Sequence, residues 1–374
     1  MKSFLKVLAI FALAAWLPLS TAQAQSEDQI RIGFGGALLG NLATYGLSNL
    51  YGIEYAIGQI NAQGGILGRQ IVLVQEDDAC DPKAAANAAS KLASEGLTLI
   101  LGHTCSGATR SALSVYGNGA LVISSSATEV DLTDDGSHPY FFRTTPRDDA
   151  QSKAQVDYIR SKGYTKVAIL HDKGDYGQSL AQLAAGFIAA EPGSMTVVLN
   201  DGITSGEVSY EEIVSKIRDS GAEVLIWGGY YNDASKLAMQ MRDKGVETVI
   251  VGPDGLYDQR YIDIGQGAVE GSIVTGQADI SQSDAGKAAI EDHKSRHGEE
   301  TGTYFFYAAG AAQALLAAVE KVGNTTDLDA IKKRLQEDTI ETVMGPVRFD
   351  AKGDVIGAGY TLFEVKDGKF VALN

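Results

Sequence analysis

Ile30-Arg31-Ile32-Gly33-Phe34 leads, through the glycine-rich Gly35-Gly36-Ala37, into a segment where Leu50, Ile53, Ile57 and Ile60 recur at spacings of three and four before Gly64-Gly65. A short apolar run followed by a helix with one apolar stripe is the repeating unit of a parallel sheet, because parallel strands are covered on both faces and need no polar alternation. The paired glycines end the helix. The same unit recurs along the chain: Ile71 to Val74, Leu97 to Leu101, Leu121 to Ile123, Val167 to Leu170, Val224 to Trp227, Val249 to Val251 and Ile273 to Val274 read as further strands, with Arg31 and Thr98 the polar interruptions. The order predicts a doubly wound α/β architecture, and so many strands exceed an ordinary single sheet, so two such lobes are expected. The seam falls near Arg143 to Arg147, where Phe141-Phe142-Arg143-Thr144-Thr145-Pro146 ends a strand in proline and Asp148-Asp149 opens a helix. No internal repeat, low-complexity tract or flexible linker separates the halves, so short crossovers should join them.

Before the first strand, Lys2 and Lys6 precede an apolar stretch from Val7 to Leu17, and Ala22-Gln23-Ala24 supplies small residues. This is the pattern of a secretory signal cleaved after Ala24, with an apolar run too short to span a bilayer. No later stretch reads as long and apolar enough to span, and no cysteine near the cleavage point offers a lipid anchor. Of 374 residues, 350 then remain for folding, about two domains' worth. The 31 basic residues include Lys2 and Lys6; the other 29 stand against 47 acidic ones, so the remainder carries −18. That balance argues against nucleic acid or anionic lipid as partner. With 45% hydrophobic and 21% charged residues, the composition is that of a globular protein with a sizeable core. Export places Cys80 and Cys105 in an oxidising compartment where they can pair; metal binding is the weaker alternative, since neither they nor His103 has a partner set at zinc-ligand spacing.

Several motifs fall short. Gly33-Phe34-Gly35-Gly36-Ala37-Leu38 has leucine where a dinucleotide fingerprint needs its third glycine; Glu54, about 20 positions on, lies inside the first helix, and the acid at the end of the next strand, Glu76, comes about 40 on. His293 and His297 share a helix face without the glutamate of a metalloprotease, and read as a solvated helix end. Glu76-Asp77-Asp78 and Asp81 lack calcium-loop spacing and read as a strand end and a helix cap before Pro82. No nucleophile elbow or triad signature is present. Other strand ends are more informative. Cys105-Ser106-Gly107-Ala108-Thr109 and Ser124-Ser125-Ser126-Ala127-Thr128 place hydroxyls and amides where helices begin, suited to a carboxylate. In the second half Gly228-Gly229-Tyr230-Tyr231 and Gly252-Pro253-Asp254-Gly255 offer aromatic rings and a carboxylate, suited to an ammonium. Capping and turn chemistry would explain each set alone; their pairing across the two halves points to a zwitterion.

These residues also carry a family resemblance over essentially the whole chain after the signal. Ile60-Asn61-Ala62-Gln63-Gly64-Gly65-Ile66, Asp77-Asp78-Ala79-Cys80-Asp81-Pro82, Gly102-His103-Thr104-Cys105-Ser106, His171-Asp172-Lys173 with Tyr176-Gly177, Gly228-Gly229-Tyr230-Tyr231, and Gly345-Pro346 with Phe349-Asp350 and Gly353-Asp354 stand in matching order and spacing. The chain resembles the periplasmic leucine/isoleucine/valine-binding proteins of ABC transporters, which have the type I solute-binding fold.

The resemblance implies two lobes joined by three hinge crossovers and closing on an amino acid: residues 25–146 with 278–355, and 147–277 with 356–374. The hinges would lie near Thr145-Pro146, Gly276-Gln277 and Val355-Ile356. It implies that Ser106 and Thr128, with nearby backbone N–H groups such as that of Ala127, take the ligand carboxylate. The carbonyl of Ser126, with Tyr230 and Asp254, takes the ammonium, while Tyr45, Tyr176, Thr104 and Phe306 wall the side-chain pocket. The pairing of Cys80 with Cys105 looks like the bridge of the leucine-binding branch. No catalytic residue, cofactor or metal is implied; the partners would be a free amino acid and an inner-membrane permease, met by a periplasmic monomer. Two departures bear on the ligand: Asp254 is one methylene shorter than the family's glutamate, and Thr104 replaces a leucine-like wall residue. They leave smaller, slightly polar or ω-amino acids as alternatives to leucine, and a ligand-sensing receptor domain as the alternative role.

Overall fold

The computed structural model describes residues 29–298 and 300–373; the signal and its cleavage after Ala24 lie outside them. The first sheet is parallel throughout, in the order β2-β1-β3-β4-β5, with β1 Gln29–Gly36, β2 Gln70–Asp77, β3 Leu99–Gly102, β4 Leu121–Ser124 and β5 Phe141–Arg143. Its helices are α1 (Ala43–Ala62), α2 (Pro82–Ser94), α3 (Ser106–Tyr116) and the short α4 (Asp131–Asp134). The chain then crosses to a second sheet through α5 (Asp148–Ser161), β6 (Lys166–His171), α6 (Asp175–Ala189), β7 (Thr196–Gly202), α7 (Glu211–Ser220), β8 (Val224–Gly228), α8 (Tyr231–Asp243), β9 (Val249–Gly252), α9 (Gln259–Gly265) and β10 (Ile273–Gln277). It returns to the first lobe for α10 (Asp284–His297), α11 (Phe305–Val322), α12 (Leu328–Glu337) and the hairpin β11 (Ile340–Thr342) and β12 (Gly345–Val347), then crosses a third time into β13 (Tyr360–Lys366) and β14 (Lys369–Ala372). The second sheet runs β14-β13-β10-β9-β8-β6-β7, parallel except where β13 and β14 join its edge antiparallel. These are two doubly wound lobes with three crossovers between them.

Strand order reverses beside β1 in one sheet and beside β6 in the other, and a crevice opens beyond the carboxyl ends of strands at such points. Two close approaches fix the crevice walls. A Cβ on Gly46 would collide with the backbone of Ala37, so only glycine lets α1 begin tight against the end of β1 and hold Tyr45 at the crevice. Gly177 and Gly228 likewise meet backbone to backbone, letting α6 approach β8 and hold Tyr176 over its end.

The strand readings hold, and the first helix buries Leu50, Ile53 and Ile57. Two readings change. The stretch that forms α11 is apolar and 18 residues long, enough by length and composition to cross a membrane; instead it is the core helix of the first lobe, with Phe305, Ala308, Ala309, Ala312, Leu315 and Leu316 fully buried. His293 is not solvated: it is buried between Tyr51 and Phe305, while His297 stacks over it from the exposed side. The cap reading of Asp81 stands, its carboxylate accepting from Ala84 N at 2.8 Å ahead of Pro82.

Candidate functional site

Cys80 and Cys105 are bonded, with Cα atoms 5.3 Å apart, which ties the loop after β2 to the start of α3. Ser106, the first residue of α3, is buried, and its Oγ accepts from Glu129 N (3.4 Å). The turn after β4 is built around Ser124, whose Oγ donates to His103 O (2.7 Å) and accepts from Ala127 N (3.0 Å), so the Ala127 amide is already engaged. Ser126 Oγ donates to Thr104 O (2.8 Å) and accepts from Asn49 Nδ2 (2.9 Å), and the same amide reaches Thr104 Oγ1 (3.3 Å). Asn49 is fully buried on α1. The Thr128 carbonyl accepts from Asp148 N (3.0 Å). The groups that Ser106, Ser124, Ser126, Asn49 and Thr128 contribute to this wall are neutral hydroxyls and amides, at one helix start.

The opposite wall centres on Asp254, 1% exposed, at the turn after β9. Its Oδ1 accepts from Tyr176 OH (2.5 Å) and Gln151 Nε2 (3.0 Å); its Oδ2 accepts from Gln277 Nε2 (2.7 Å) and Tyr304 OH (3.0 Å). Four donors match the acceptor sites of a carboxylate. Burial nevertheless outweighs them and raises the Asp254 pKa above the ordinary carboxylate range. Asp148, bridged to Asp254 through Gln151 Nε2 (2.9 Å), is raised well above the ordinary carboxylate value by its own burial and then by the Asp254 charge, against the hydrogen bond from Gln151 and the field of Arg143. Burial also raises the phenols of Tyr45, Tyr176, Tyr230 and Tyr304, with the Asp254 charge adding to each. Every hydrogen-bond partner of Asp254 among the described residues is neutral. A desolvated carboxylate without a counter-charge favours a cation entering beside it.

The two walls touch. Tyr45 OH donates to Gly255 O (2.7 Å), Tyr304 OH reaches Asp254, Tyr231 OH donates to Asn41 O (2.5 Å), and Arg110 pairs with Asp175 (3.2 Å). Tyr230 stacks on Tyr176 (centroids 5.2 Å apart) and lies 6.1 Å from Tyr45. Among the sequence candidates, Asp254, Tyr176, Tyr230 and Tyr45 thus meet in one cluster, facing the loops of Thr104, Ser106, Ser126, Ala127 and Thr128. Phe306 sits elsewhere, edge-to-face on Phe305 in the first-lobe core and lining a neighbouring cavity. The aromatic residue that reaches the cluster is Tyr304, with its ring 5.6 Å from that of Tyr45. Sequence reading missed Tyr304, Gln151, Gln277, Asp148 and Asn49. The run Tyr304-Phe305-Phe306-Tyr307 was the available signal, but only the start of α11 decides which ring faces the crevice.

Two doubly wound lobes gripping a crevice between a dipolar wall and an anionic one define a binding protein for a small solute. A family model described as periplasmic binding protein matches residues 29–369. The chain is 33% identical over 354 residues to the leucine-specific-binding protein of Salmonella typhimurium, covering 94% of this chain and 95% of that one. It is 33% identical over 373 residues to the Leu/Ile/Val-binding protein homolog 3 of Brucella melitensis, covering 99% of each. The chain belongs to the periplasmic binding protein family, in its leucine/isoleucine/valine-binding group. Solved structures agree in fold: a leucine binding protein of Thermotoga maritima (TM-score 0.83, 21% identity, 92% of this chain and 98% of that one) and an isoleucine complex of a branched-chain amino acid transporter substrate binding protein of Streptococcus pneumoniae (0.82, 24%, 92% and 99%).

Proposed function

We propose that this chain is the periplasmic solute-binding component of an amino-acid ABC transporter, closing its lobes on one amino acid of the branched-chain type and delivering it unchanged to an inner-membrane permease. The single observation that carries the reading is Asp254: a buried carboxylate, held by neutral donors only, opposite a wall of hydroxyls and helix-start amides. Asp254, Tyr230 and the Ser126 carbonyl take the ammonium. Ser106 and Thr128 take the carboxylate, and Ala127 serves through the turn it stabilises rather than by a free amide. Tyr45, Tyr176, Thr104 and the newly found Tyr304 wall the side chain, with Phe306 behind them. No catalytic group takes part, and the protein works as a monomer after removal of residues 1–24.

In this reading the lobes comprise residues 25–146 with 278–355 and 147–277 with 356–374; in its support, β1 to β5 share one sheet and β6 to β10 share the other with β13 and β14. Closure draws on differential affinity: Tyr45 and Tyr304 belong to the first lobe and reach Gly255 and Asp254 of the second. A thermal-shift screen against the standard and common ω-amino acids tests the proposal. A true ligand at about a hundred times its Kd adds about 2.7 kcal/mol of stability; a protein that no amino acid stabilises contradicts it.

A further inference from the structure

Arg110, on the second turn of α3, is shared between the lobes. Its Nη2 donates to Glu129, a buried residue of the first lobe whose other carboxylate oxygen accepts from Asp131 N (3.2 Å) and whose N–H donates to Ser106 Oγ (3.4 Å). Its Nε pairs with Asp175 Oδ2 (3.2 Å), on the first residue of α6 in the second lobe. The start of α3 lies against the same carboxylate, since a Cβ on Gly107 would stand 3.7 Å from Asp175 Oδ2. Among the described residues this is the one ion pair that spans the crevice away from the crossovers; Arg147 joins the lobes through Asp134 and Asp354, beside the crossovers themselves. The contacts that Tyr45 and Tyr231 make across the crevice are neutral. The side chains of Arg110 and Asp175 are 33% and 49% exposed, so salt screens their attraction, whereas a ligand ammonium buried on Asp254 is screened far less. Glu129 already holds the guanidinium in the first lobe, so closing orders fewer side chains than an ordinary exposed pair requires.

We infer that Arg110 and Asp175 are closure residues: the pair forms only when the lobes meet over the ligand, and it sets how long the ligand stays bound. The inference rests on the proposed closure on an amino acid and deepens it by naming a contact between the lobes that favours the closed form without touching the ligand. Both charges belong to the protein, and a zwitterion without net charge is steered by neither, so the effect falls on release rather than capture. Stopped-flow fluorescence of the full mature protein with leucine as probe separates the two rate constants. Asp175→Asn, an exposed and nearly isosteric change, should speed release about two- to fivefold at low salt, the range of an exposed pair, and leave the association rate nearly unchanged. Raising NaCl from about 0.05 to about 1 M should speed release from the wild type by a similar factor and from Asp175→Asn hardly at all. Asp175→Glu, which keeps the charge, should keep the salt dependence. The salt dependence is the readout because a merely structural loosening of α6 would speed release equally at every salt concentration. Arg110→Gln also strands Glu129, so Asp175 carries the test. Leucine leaving Asp175→Asn at the wild-type rate, or with the wild-type salt dependence, would overturn the inference and leave the amino-acid reading standing. If leucine, isoleucine and valine all fail to bind, the amino-acid reading falls and the inference with it.

Discussion

Two buried carboxylates, Asp354 and Asp254, sit at comparable depth beside interlobe crossovers but in opposite company. Asp354, in the third crossover, accepts from Arg143 Nε (2.5 Å) and Arg147 Nη1 (3.0 Å), and Arg143 spends its remaining donors on the Ala127 and Glu129 carbonyls and Thr133. Asp254 has only phenols and amides, with a second carboxylate, Asp148, behind it. The fold neutralises the carboxylate it uses to join crossovers and leaves un-neutralised the one at the crevice. A counter-charge missing where the chain supplies one elsewhere is what a positively charged ligand group explains.

The comparison can be broken at its structural end first. Removing one partner of a buried ion pair strands the other charge, so Asp354→Ala should destabilise the protein by about 3–5 kcal/mol in chemical denaturation. A loss below about 1 kcal/mol, the range of an exposed pair, would mean that Asp354 is no more structural than Asp254. Next comes a constraint without charge. The Cys80–Cys105 bridge has a sequence separation of 25, for which chain entropy gives about 3 kcal/mol. The Cys80→Ser/Cys105→Ser variant should lose about that much stability, and alkylation of the wild type without reductant should find no thiol; two free thiols would refute the bridge.

A smaller effect sharpens the electrostatic side. Asp172, after β6, is pushed up to about 6 by burial, with Gly174 N–H opposing and Asp233 adding to the rise. A carboxylate raised in the folded state holds its proton longer there than in the unfolded chain, so its share of stability is full below about pH 4 and is lost as pH rises through about 6. Asp172→Asn should therefore gain on the wild type across that window, by up to about 2–3 kcal/mol. A difference between the two that does not change between pH 4 and 7 would show that Asp172 is not perturbed as described.

Much of this was legible in the sequence because parallel strands covered on both faces cannot hide: the runs at Ile30, Leu121, Val167 and Val224 had one reading. The edge strands β7, β13 and β14, half-exposed and partly polar, lacked that signature and escaped. The strand-end motifs gave Ser106, Thr128, Tyr230 and Asp254, since each follows a strand directly. Gln151, Gln277 and Tyr304 approach Asp254 from three elements distant in sequence, and no local pattern marks them. His293 was misread because spacing reveals a shared helix face but not whether Tyr51 and Phe305 cover it.

The central claim is that Asp254 exists to meet an ammonium, and a thermodynamic cycle isolates it. The best-binding amino acid and its deaminated analogue, with the same carbon skeleton and carboxylate, are titrated by calorimetry into the wild type and Asp254→Ala. The account predicts that the variant loses about 2–5 kcal/mol, roughly 30- to 5,000-fold, for the amino acid and far less for the analogue. Equal losses for the two ligands, or no loss for either, would contradict it.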